Sequence, residues 1–342
     1  MDTHFGQSPV DVTPNEPAPR DLTAPGDDLV LPFAIEGMDV RGRLARIGPV
    51  ISDILGRHDY PAAVSRLLGE ALLLASMLGT ALKLDGRFTV QMSSNGPVDM
   101  LVADMTKDGG LRGYAHFDRD KVEALGSAAP KLADLVGTGS LALTVDQGPG
   151  RNSYQGVVPL EGDSLSACGE AYFRRSEQLP TLIRLVVAET MQRDADGHAG
   201  GGWRAGGIMI QHMPADGGYV RDAHPGDAPD GSEPAQDDAE EDDNWNRARI
   251  LMETVEDHEL VDPGLAAETL LYRLYHEDGV RVFSEHPLSF SCRCSQEYIA
   301  GVLKGFGEDE LADMYTEDGL IEVRCEFCSS NYTFKPEEVS GA

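Results

Sequence analysis

The sequence predicts an α+β protein with an antiparallel-sheet main domain and packed helices, then a helical linker, then a small C-terminal domain holding four of the five cysteines. Residues 64–83 are apolar nearly all round, as in a buried helix, and short strand-like segments separated by Gly and Asn turns follow them. The four cysteines form two close pairs, in SCRCS and RCEFC. The strand-like segments therefore define the main domain, and the cysteine pairs mark a separate unit.

Composition limits the classes of partner. At 342 residues with 41% hydrophobic residues, the chain can build a sizeable core. Its formal net charge of −30 argues against a nucleic-acid binder and against docking on anionic membranes. The N-terminus lacks the features of a signal peptide, and the longest apolar stretch, 71–78, is far short of a membrane span. We therefore expect a cytoplasmic protein with no nucleic-acid or membrane partner, whose thiols are kept reduced.

Two polar stretches divide the chain. Residues 1–30 are rich in Pro, Asp and small polar residues and are predicted to be a disordered tail. Residues 214–245 are predicted to be an acidic disordered insertion, because their central part, 222–243, holds many Asp and Glu residues and neither Lys nor Arg. The main domain therefore spans residues 31–213.

The main domain is predicted to contain two helices, a meander and two strand pairs. The helices are expected at 64–83 and 163–178, the second with Asp163 as its N-cap. Turn signals at Asn95-Gly96 and at 108–110 separate the strands of the meander. The predicted strands lie at 86–92, 98–105 and 111–117, as a hairpin within 140–160, and as a pair at 181–190 and 206–213.

Residues 246–290 are predicted to be a helical linker. One helix is expected at 246–260, and a second should begin with Asp262 as N-cap and Pro263 at its first position, before a short strand at 280–283. Short, highly charged helices are marginal on their own, so these must be stabilised by docking on the neighbouring domains. The apolar side chains available for docking include Ile250, Leu251, Val255, Leu260, Leu265, Leu270, Leu271, Leu274 and Val282.

The C-terminal domain, residues 291–342, carries the strongest chemical signal. Cys292 and Cys294 form a CxC pair, and Cys325 and Cys328 form a CxxC pair. Zinc takes four soft ligands in a tetrahedron, and two short loops can supply two thiolates each. We therefore predict one Zn²⁺ per chain, held by these four cysteines. Zinc binding contributes roughly 10–16 kcal/mol in small domains, so loss of the ion should unfold this unit.

The remaining candidate residues carry weaker signals. Cys168 lies in a predicted helix and is expected to be a small buried hydrophobe. Arg293 and Arg324 either offset the net charge of four thiolates on Zn²⁺ or are ordinary surface charges. His286 would be a fifth ligand where four suffice. The sequence shows no phosphate-binding loop, no HExxH motif and no convincing Ser-His-Asp arrangement.

Residues from about 31 to 335 resemble one known family. The matching segments are HDYPAAVSRLLGEALLLASMLGTALKLDGRFTVQ (58–91), GPVDMLVADMT, LRGYAHFD, YFRRSEQLPT (172–181) and AGGIMIQHMP (205–214), and the closing CRC and CEFC pairs complete the pattern. SEQLPT together with the two cysteine pairs is specific. On these residues the sequence resembles the 33 kDa chaperonin family, the redox-regulated heat-shock holdases of bacteria.

The resemblance implies an ATP-independent stress-response chaperone, not an enzyme, that binds unfolding client proteins under oxidative stress and prevents their aggregation. The reduced form of such proteins holds zinc through four cysteines, here Cys292, Cys294, Cys325 and Cys328, and is inactive. Oxidation joins neighbouring cysteines, here Cys292 with Cys294 and Cys325 with Cys328. The zinc is then released, the C-terminal unit and the linker lose structure, and a client-binding surface appears.

The resemblance also gives each region a role. The main domain, 31–213, is expected to bind clients and to form a homodimer in the active state. Residues 246–290 correspond to a metastable switch linker, and 291–342 to the zinc-binding redox-switch domain. The long N-terminal tail and the expanded acidic stretch 222–243 depart from the family pattern.

Two other classes of function compete with this interpretation. A zinc-ribbon adaptor for nucleic acid is disfavoured by the net charge of −30. A CxxC thiol oxidoreductase would need a thioredoxin-like βαβ scaffold, against which the predicted meander and the extra CxC pair argue. Insulin reduction separates the classes, because an oxidoreductase catalyses it and a holdase does not.

Overall fold

The computed structural model describes residues 26–81, 85–126, 130–148, 151, 153–193, 199–213 and 236–339. The strands of this part are β1 (Leu29–Ile35), β2 (Val40–Ile47), β3 (Arg87–Ser94), β4 (Val98–Thr106), β5 (Gly110–Phe117), β6 (Gly139–Asp146), β7 (Tyr154–Pro159), β8 (Thr181–Arg193), β9 (Ala199–His212), β10 (Val280–Val282), β11 (His286–Pro287), β12 (Ser289–Phe290), β13 (Ile321–Arg324) and β14 (Asn331–Phe334).

Helices pack on and between these strands, and a π-helical turn, Phe173–Glu177, directly follows the helix Leu165–Tyr172. The α-helices are α1 (Pro49–Gly56), α2 (Ala62–Ala81), α3 (Arg119–Ala124), α4 (Leu132–Val136), α5 (Leu165–Tyr172), α6 (Gln236–Glu253), α7 (Asp257–Val261), α8 (Ala267–Tyr275), α9 (Gln296–Leu303), α10 (Glu308–Ala312) and α11 (Pro336–Val339). The predicted α+β class is confirmed.

Two main sheets build the body of the protein. The first sheet has the order β10-β1-β2-β9-β8, with β11 also paired to β1, and all its pairings are antiparallel. The second sheet has the order β12-β5-β4-β3-β6-β7 and is antiparallel except where β12 runs parallel to β5. The predicted meander is β3–β5, the predicted hairpin is β6–β7, and the predicted strand pair is β8–β9.

Helix α2 is the core element between the two sheets, and its Leu68, Leu72 and Leu74 are completely buried. The helix contains the apolar stretch 71–78, and by its whole length and composition it could cross a membrane. However, 78% of its most apolar window is buried inside the protein. Core helices of globular proteins pass the same test, so it is weak evidence for a membrane span.

The linker docks on the outer face of the first sheet. There α6, α7 and α8 form a second hydrophobic core with β1, β2, β8 and β9. Of the nine apolar linker side chains named in the sequence analysis, Ile250 and Val282 are largely exposed. The others are buried or packed against this core: Leu251, Val255, Leu260, Leu265, Leu270, Leu271 and Leu274.

Buried arginines hold the linker backbone on this face. Arg46 on β2 is 1% exposed, and its guanidinium donates hydrogen bonds of 2.9 Å to the carbonyls of Glu259 and Asp262. It also donates to the carbonyl of Leu265. Arg204 on β9 donates from Nε to the carbonyl of Val261 at 2.8 Å. The sheet therefore binds the end of α7 through backbone groups as well as through apolar contacts.

The absence of a side chain at Gly206 lets the linker come this close. Gly206 pairs with Arg46 across β9 and β2, directly beneath α7. A Cβ atom at this position would lie 2.2 Å from the carbonyl oxygen of Leu260, which is backbone and cannot rotate away. Any larger residue at Gly206 must therefore displace the linker.

Several helix boundaries differ from the predictions. The N-cap of α5 is Ser164 rather than Asp163, because the Ser164 hydroxyl accepts the Ala167 N–H at 3.2 Å. The predicted helix 246–260 is interrupted after Glu253 and resumes as α7. Asp262 does not cap a helix: its carboxylate accepts the Gly264 N–H at 2.8 Å in a tight turn. Helix α8 therefore begins only at Ala267.

The limits of both predicted disordered stretches also change. Strand β1 begins at Leu29, and Asp28 accepts backbone hydrogen bonds from Gly48 and Val50, so the ordered part starts before residue 31. Helix α6 begins at Gln236, inside the acidic stretch, rather than at Asn246. The remainder of these predictions, on residues 1–25 and 214–235, lies outside the described residues.

We expect Gly206→Val to displace the linker while the strands persist, because valine suits a strand but its side chain collides with the Leu260 backbone. Limited proteolysis of the reduced protein should then cut within 246–275 at least ten times faster than in the wild type, with circular dichroism as a check on the fold. Gly201→Val is the matched control on the same strand, since the nearest atom to its Cβ would be 3.6 Å away. Unchanged cleavage in Gly206→Val would show that the linker does not depend on this close approach.

Candidate metal centre

Two short segments carry the four cysteines of the C-terminal domain. Cys292 and Cys294 follow β12, which is fixed to the main domain because the Ser291 N–H donates to the Leu111 carbonyl at 2.9 Å. Cys325 and Cys328 lie in the turn between β13 and β14. Backbone hydrogen bonds between Cys325 and the residues just after Cys328 close this turn, so the CxxC pair faces inward.

The four sulfurs form one compact cluster. All lie within 4.8 Å of one another. The Sγ of Cys294 is 3.2 Å from those of both Cys292 and Cys328, and the Sγ atoms of Cys292 and Cys325 are 3.7 Å apart. A tetrahedral ion with metal–sulfur bonds of about 2.3 Å needs sulfurs about 3.8 Å apart. The four thiols therefore have the number, softness and spacing of a structural zinc site.

Electrostatics within the cluster disfavour several thiolates at once. Burial raises the pKa of Cys294 to about 12, and the neighbouring thiols Cys328 and Cys292 add to this, although the Tyr332 hydroxyl donates to its sulfur at 3.2 Å. Burial acts in the same direction at Cys328, but hydrogen bonds with Ser330, Cys294 and Cys325 together outweigh it and lower its pKa to about 6. One thiolate therefore forms readily, and a divalent cation is what would favour the others.

A small separate core supports the cluster. It consists of the buried residues Ile299, Leu303, Leu311, Ile321, Phe334 and Val339. Cys294 and Tyr332 are partly buried against this core, so the sulfur cluster closes one side of it. A core this thin leaves the unit dependent on whatever the four sulfurs hold.

The unit also contacts the main domain through the middle of its CxxC segment. The Arg112 guanidinium stacks 3.9 Å over the ring of Phe327, and the ring of Tyr114 lies 6.3 Å from it. Arg57 donates to the Cys328 carbonyl at 3.3 Å, and the Ser329 hydroxyl donates to the Arg57 carbonyl at 2.9 Å. The cysteine turn is therefore itself part of the interface between the two units.

The structure separates the other sequence candidates from the cluster. Cys168 is completely buried in α5, as predicted. His286 lies on β11, paired with β1, and is not part of the sulfur cluster. Burial and the nearby Arg87 and Arg112 lower the pKa of Arg293, and the nearby Asp104 acts in the opposite direction. That Arg293 and Arg324 offset thiolate charge stays a prediction.

Sequence reasoning missed the residues that connect the cluster to the rest of the protein. Phe327, Arg112 and Arg57 gave no motif, because their partners lie far away along the chain. The only available signal was the aromatic residue between the cysteines of CEFC, where a solvent-exposed turn would favour a polar one.

Comparisons with known proteins give a consistent result. A family model described as Hsp33 protein matches residues 28–335. A 33 kDa chaperonin of Caulobacter vibrioides is 43% identical over 312 residues, covering 91% of this chain and 95% of the relative. The 33 kDa chaperonin of Pseudomonas fluorescens is 35% identical over 317 residues, covering 92% and 93%, and that of Escherichia coli is 35% identical over 316 residues, covering 92% and 95%.

A solved structure supports the fold. The crystal structure of a 33 kDa chaperonin (heat shock protein 33 homolog) from Thermotoga maritima superposes with a TM-score of 0.68. The match covers 91% of this chain and 96% of that one, at 20% sequence identity. At this identity the likeness concerns the architecture alone.

We expect the reduced protein to bind one zinc ion per chain. Cys168→Ser should keep this stoichiometry, because Cys168 is buried in α5 away from the cluster. Cys294→Ser should lose nearly all zinc, because its sulfur contacts both Cys292 in its own segment and Cys328 in the other segment. Elemental analysis after gel filtration measures both. Loss of zinc in Cys168→Ser, or its retention in Cys294→Ser, would contradict the assignment of the ligands.

Proposed function

This chain belongs to the Hsp33 family and is a heat-shock chaperone rather than an enzyme, and on that premise we propose that it is a redox-regulated, ATP-independent holdase. In this proposal the reduced form binds one Zn²⁺ through Cys292, Cys294, Cys325 and Cys328 and is inactive. The oxidised form carries disulfides and protects unfolding client proteins from aggregation as a homodimer. The protein acts in the cytoplasm, without nucleic-acid or membrane partners.

The observation that carries the proposal is the single cluster of four sulfurs. Bound Zn²⁺ would hold the unit together by linking the two cysteine segments. Two equivalents of peroxide oxidise the four thiols to two disulfides, and each peroxide is reduced to two molecules of water. The sulfurs are then no longer thiolates and cannot hold the ion. The Sγ of Cys294 is equally close to Cys292 and Cys328, so the pairing of Cys292 with Cys294 and of Cys325 with Cys328 is proposed from the family resemblance.

Loss of the metal has consequences beyond the C-terminal unit. Its thin core should unfold, since zinc binding contributes roughly 10–16 kcal/mol and whole domains have stabilities of about 5–15 kcal/mol. The contacts of Phe327 and of the Cys328 carbonyl with the main domain depend on the shape of the cysteine turn. When they are lost, the adjoining linker loses its support on one side.

The surface beneath the linker is the proposed client-binding surface. It consists of the linker-facing side chains of the first sheet, among them Leu31, Phe33, Val40, Leu44, Ile208 and Ile210. All six are buried by the linker in the structure. Their exposure would create a contiguous apolar patch of the kind that binds other polypeptides.

The proposal is tested by light scattering of a heat-denatured client protein. We expect the peroxide-treated chain to suppress aggregation at an equimolar ratio and the reduced, zinc-loaded chain not to do so. Cys168→Ser should behave like the wild type. Equal protection by both forms would contradict redox regulation, and catalysed insulin reduction would favour the thiol oxidoreductase instead.

Undocking the linker without oxidation should also activate the protein. In dithiothreitol, Gly206→Val should protect the client at least half as well as the oxidised wild type, because the valine displaces the linker from the sheet. Gly201→Val should remain inactive until it is oxidised. If Gly206→Val is folded and its linker is cleaved readily, yet it gives no protection in dithiothreitol, the linker is not the cover of the client-binding surface.

A further inference from the structure

We propose that the linker-bound face of the first sheet selects client segments that are both apolar and acidic, because three arginines stand among its apolar residues. We define this face by Arg46, Arg184 and Arg204 together with the apolar side chains named above. The inference rests on the proposed function and adds to it the chemistry of the segment that the face takes.

Strand register places the three arginines on the same face. Arg46 and Leu44 lie two residues apart on β2, so their side chains point to the same side of the sheet, and Leu44 packs against the linker. The same alternation relates Arg204 to Ile208 on β9. Arg184 lies directly opposite Ile208 on the neighbouring strand β8. The linker-bound face is therefore an apolar surface with cationic groups on three neighbouring strands.

Each arginine binds an electronegative group of the linker. Arg46 and Arg204 donate to carbonyls at the C-terminal end of α7, where the helix dipole is negative. Arg184 donates to the carboxylate of Asp257 at 2.7 Å and to the carbonyl of Glu253 at 3.4 Å. The linker thus shows what the face binds: apolar side chains combined with oxygen acceptors.

Two of these arginines are poorly satisfied without the linker. Arg46 is 1% exposed and Arg204 is 5% exposed. Arg204 also pairs with Asp27, whereas the Nε of Arg46 has no hydrogen-bond partner among the described residues. Departure of the linker removes every carbonyl acceptor described above for these two guanidinium groups.

The cost of covering these cations again creates the selectivity. A purely apolar client segment offers only backbone carbonyls as acceptors, and it leaves Arg184 without the carboxylate that Asp257 supplies. It satisfies the two buried guanidinium groups only if its carbonyls are unpaired and point at them, as those at the end of α7 do. Burying these groups without acceptors is strongly unfavourable. A segment that carries Asp or Glu beside its apolar residues supplies charge-assisted hydrogen bonds, and a segment with Lys adds repulsion. The net charge of −30 repels acidic ligands at a distance, but salt at physiological strength screens this repulsion beyond about 8 Å. Contacts at the face itself therefore decide the preference.

Peptide binding to the oxidised, full-length chain tests this inference. Three fluorescein-labelled peptides would share one scrambled order of residues 255–275. The acidic peptide keeps the native composition, the neutral peptide has Asn and Gln in place of Asp and Glu, and the Lys peptide has Lys in place of both. We expect the acidic peptide to bind at least ten times more tightly than the neutral one in 0.15 M salt, and the Lys peptide most weakly. Scrambling removes the native docking geometry, so the comparison reports composition rather than refitting of the linker.

Variants then assign the preference to the face. Arg184→Gln and Arg204→Gln should each reduce the tenfold preference to threefold or less. Arg151→Gln should leave it unchanged, because Arg151 is exposed and pairs with Asp85, just before β3 of the second sheet and away from this face. Arg184 is about one-third exposed, so its replacement leaves the core intact.

The outcomes separate the inference from the function on which it rests. Equal binding of acidic and neutral peptides by a chain that still protects a client overturns the inference alone, as does an acidic preference that survives in both Arg184→Gln and Arg204→Gln. Failure of the oxidised chain to protect any client overturns the proposed function instead.

Discussion

The docking of the linker on the first sheet is the interaction on which the rest of the structure depends. It covers the apolar outer face of β1, β2 and β9, and that face in turn stabilises α7 and α8, which are too short to be stable alone. The contact is partly polar: Arg46 and Arg204 bind backbone carbonyls where α7 ends. A docking mode built on main-chain carbonyls needs close approach, which explains why Gly206 lies beneath it.

The sulfur cluster places a different constraint on the C-terminal unit. Four thiols within 4.8 Å of one another favour a single thiolate, at Cys328, and burial and neighbouring thiols resist ionisation at Cys294. Coordination of a divalent cation and formation of disulfides each remove this resistance to ionisation, and each requires a different arrangement of the four sulfurs. The cysteine turn also carries Phe327 and the Cys328 carbonyl, which contact the main domain, so its shape is transmitted to the interface.

The parts of the structure that could be predicted are those encoded by neighbouring residues. The meander β3–β5 follows from local turn signals, and the sulfur cluster follows from the spacing of the two cysteine pairs. No strand was predicted for β1, where Pro32 interrupts an otherwise apolar run, because proline cannot donate to a sheet. Pro32 still takes part in the sheet as an acceptor, because its carbonyl accepts the Phe283 N–H at 2.9 Å. The hydrogen bonds of Arg46 with the linker could not be predicted either, because their acceptors are backbone groups more than 200 residues away along the chain.

The segment between the linker helices and the C-terminal unit explains how a change at the cysteines can reach the linker contacts of Arg46. Between α8 and the first cysteine the chain forms only β10, β11 and β12, each of two or three residues. β10 and β11 pair with β1, and β12 pairs with β5, so this segment fastens the linker to both sheets. Each backbone hydrogen bond contributes about 1 kcal/mol net, which makes every one of these pairings individually weak. In the proposed mechanism, unfolding that starts at the sulfur cluster therefore meets these weak pairings first, and it reaches the linker helices bound by the buried arginines only after β12, β11 and β10 have been released.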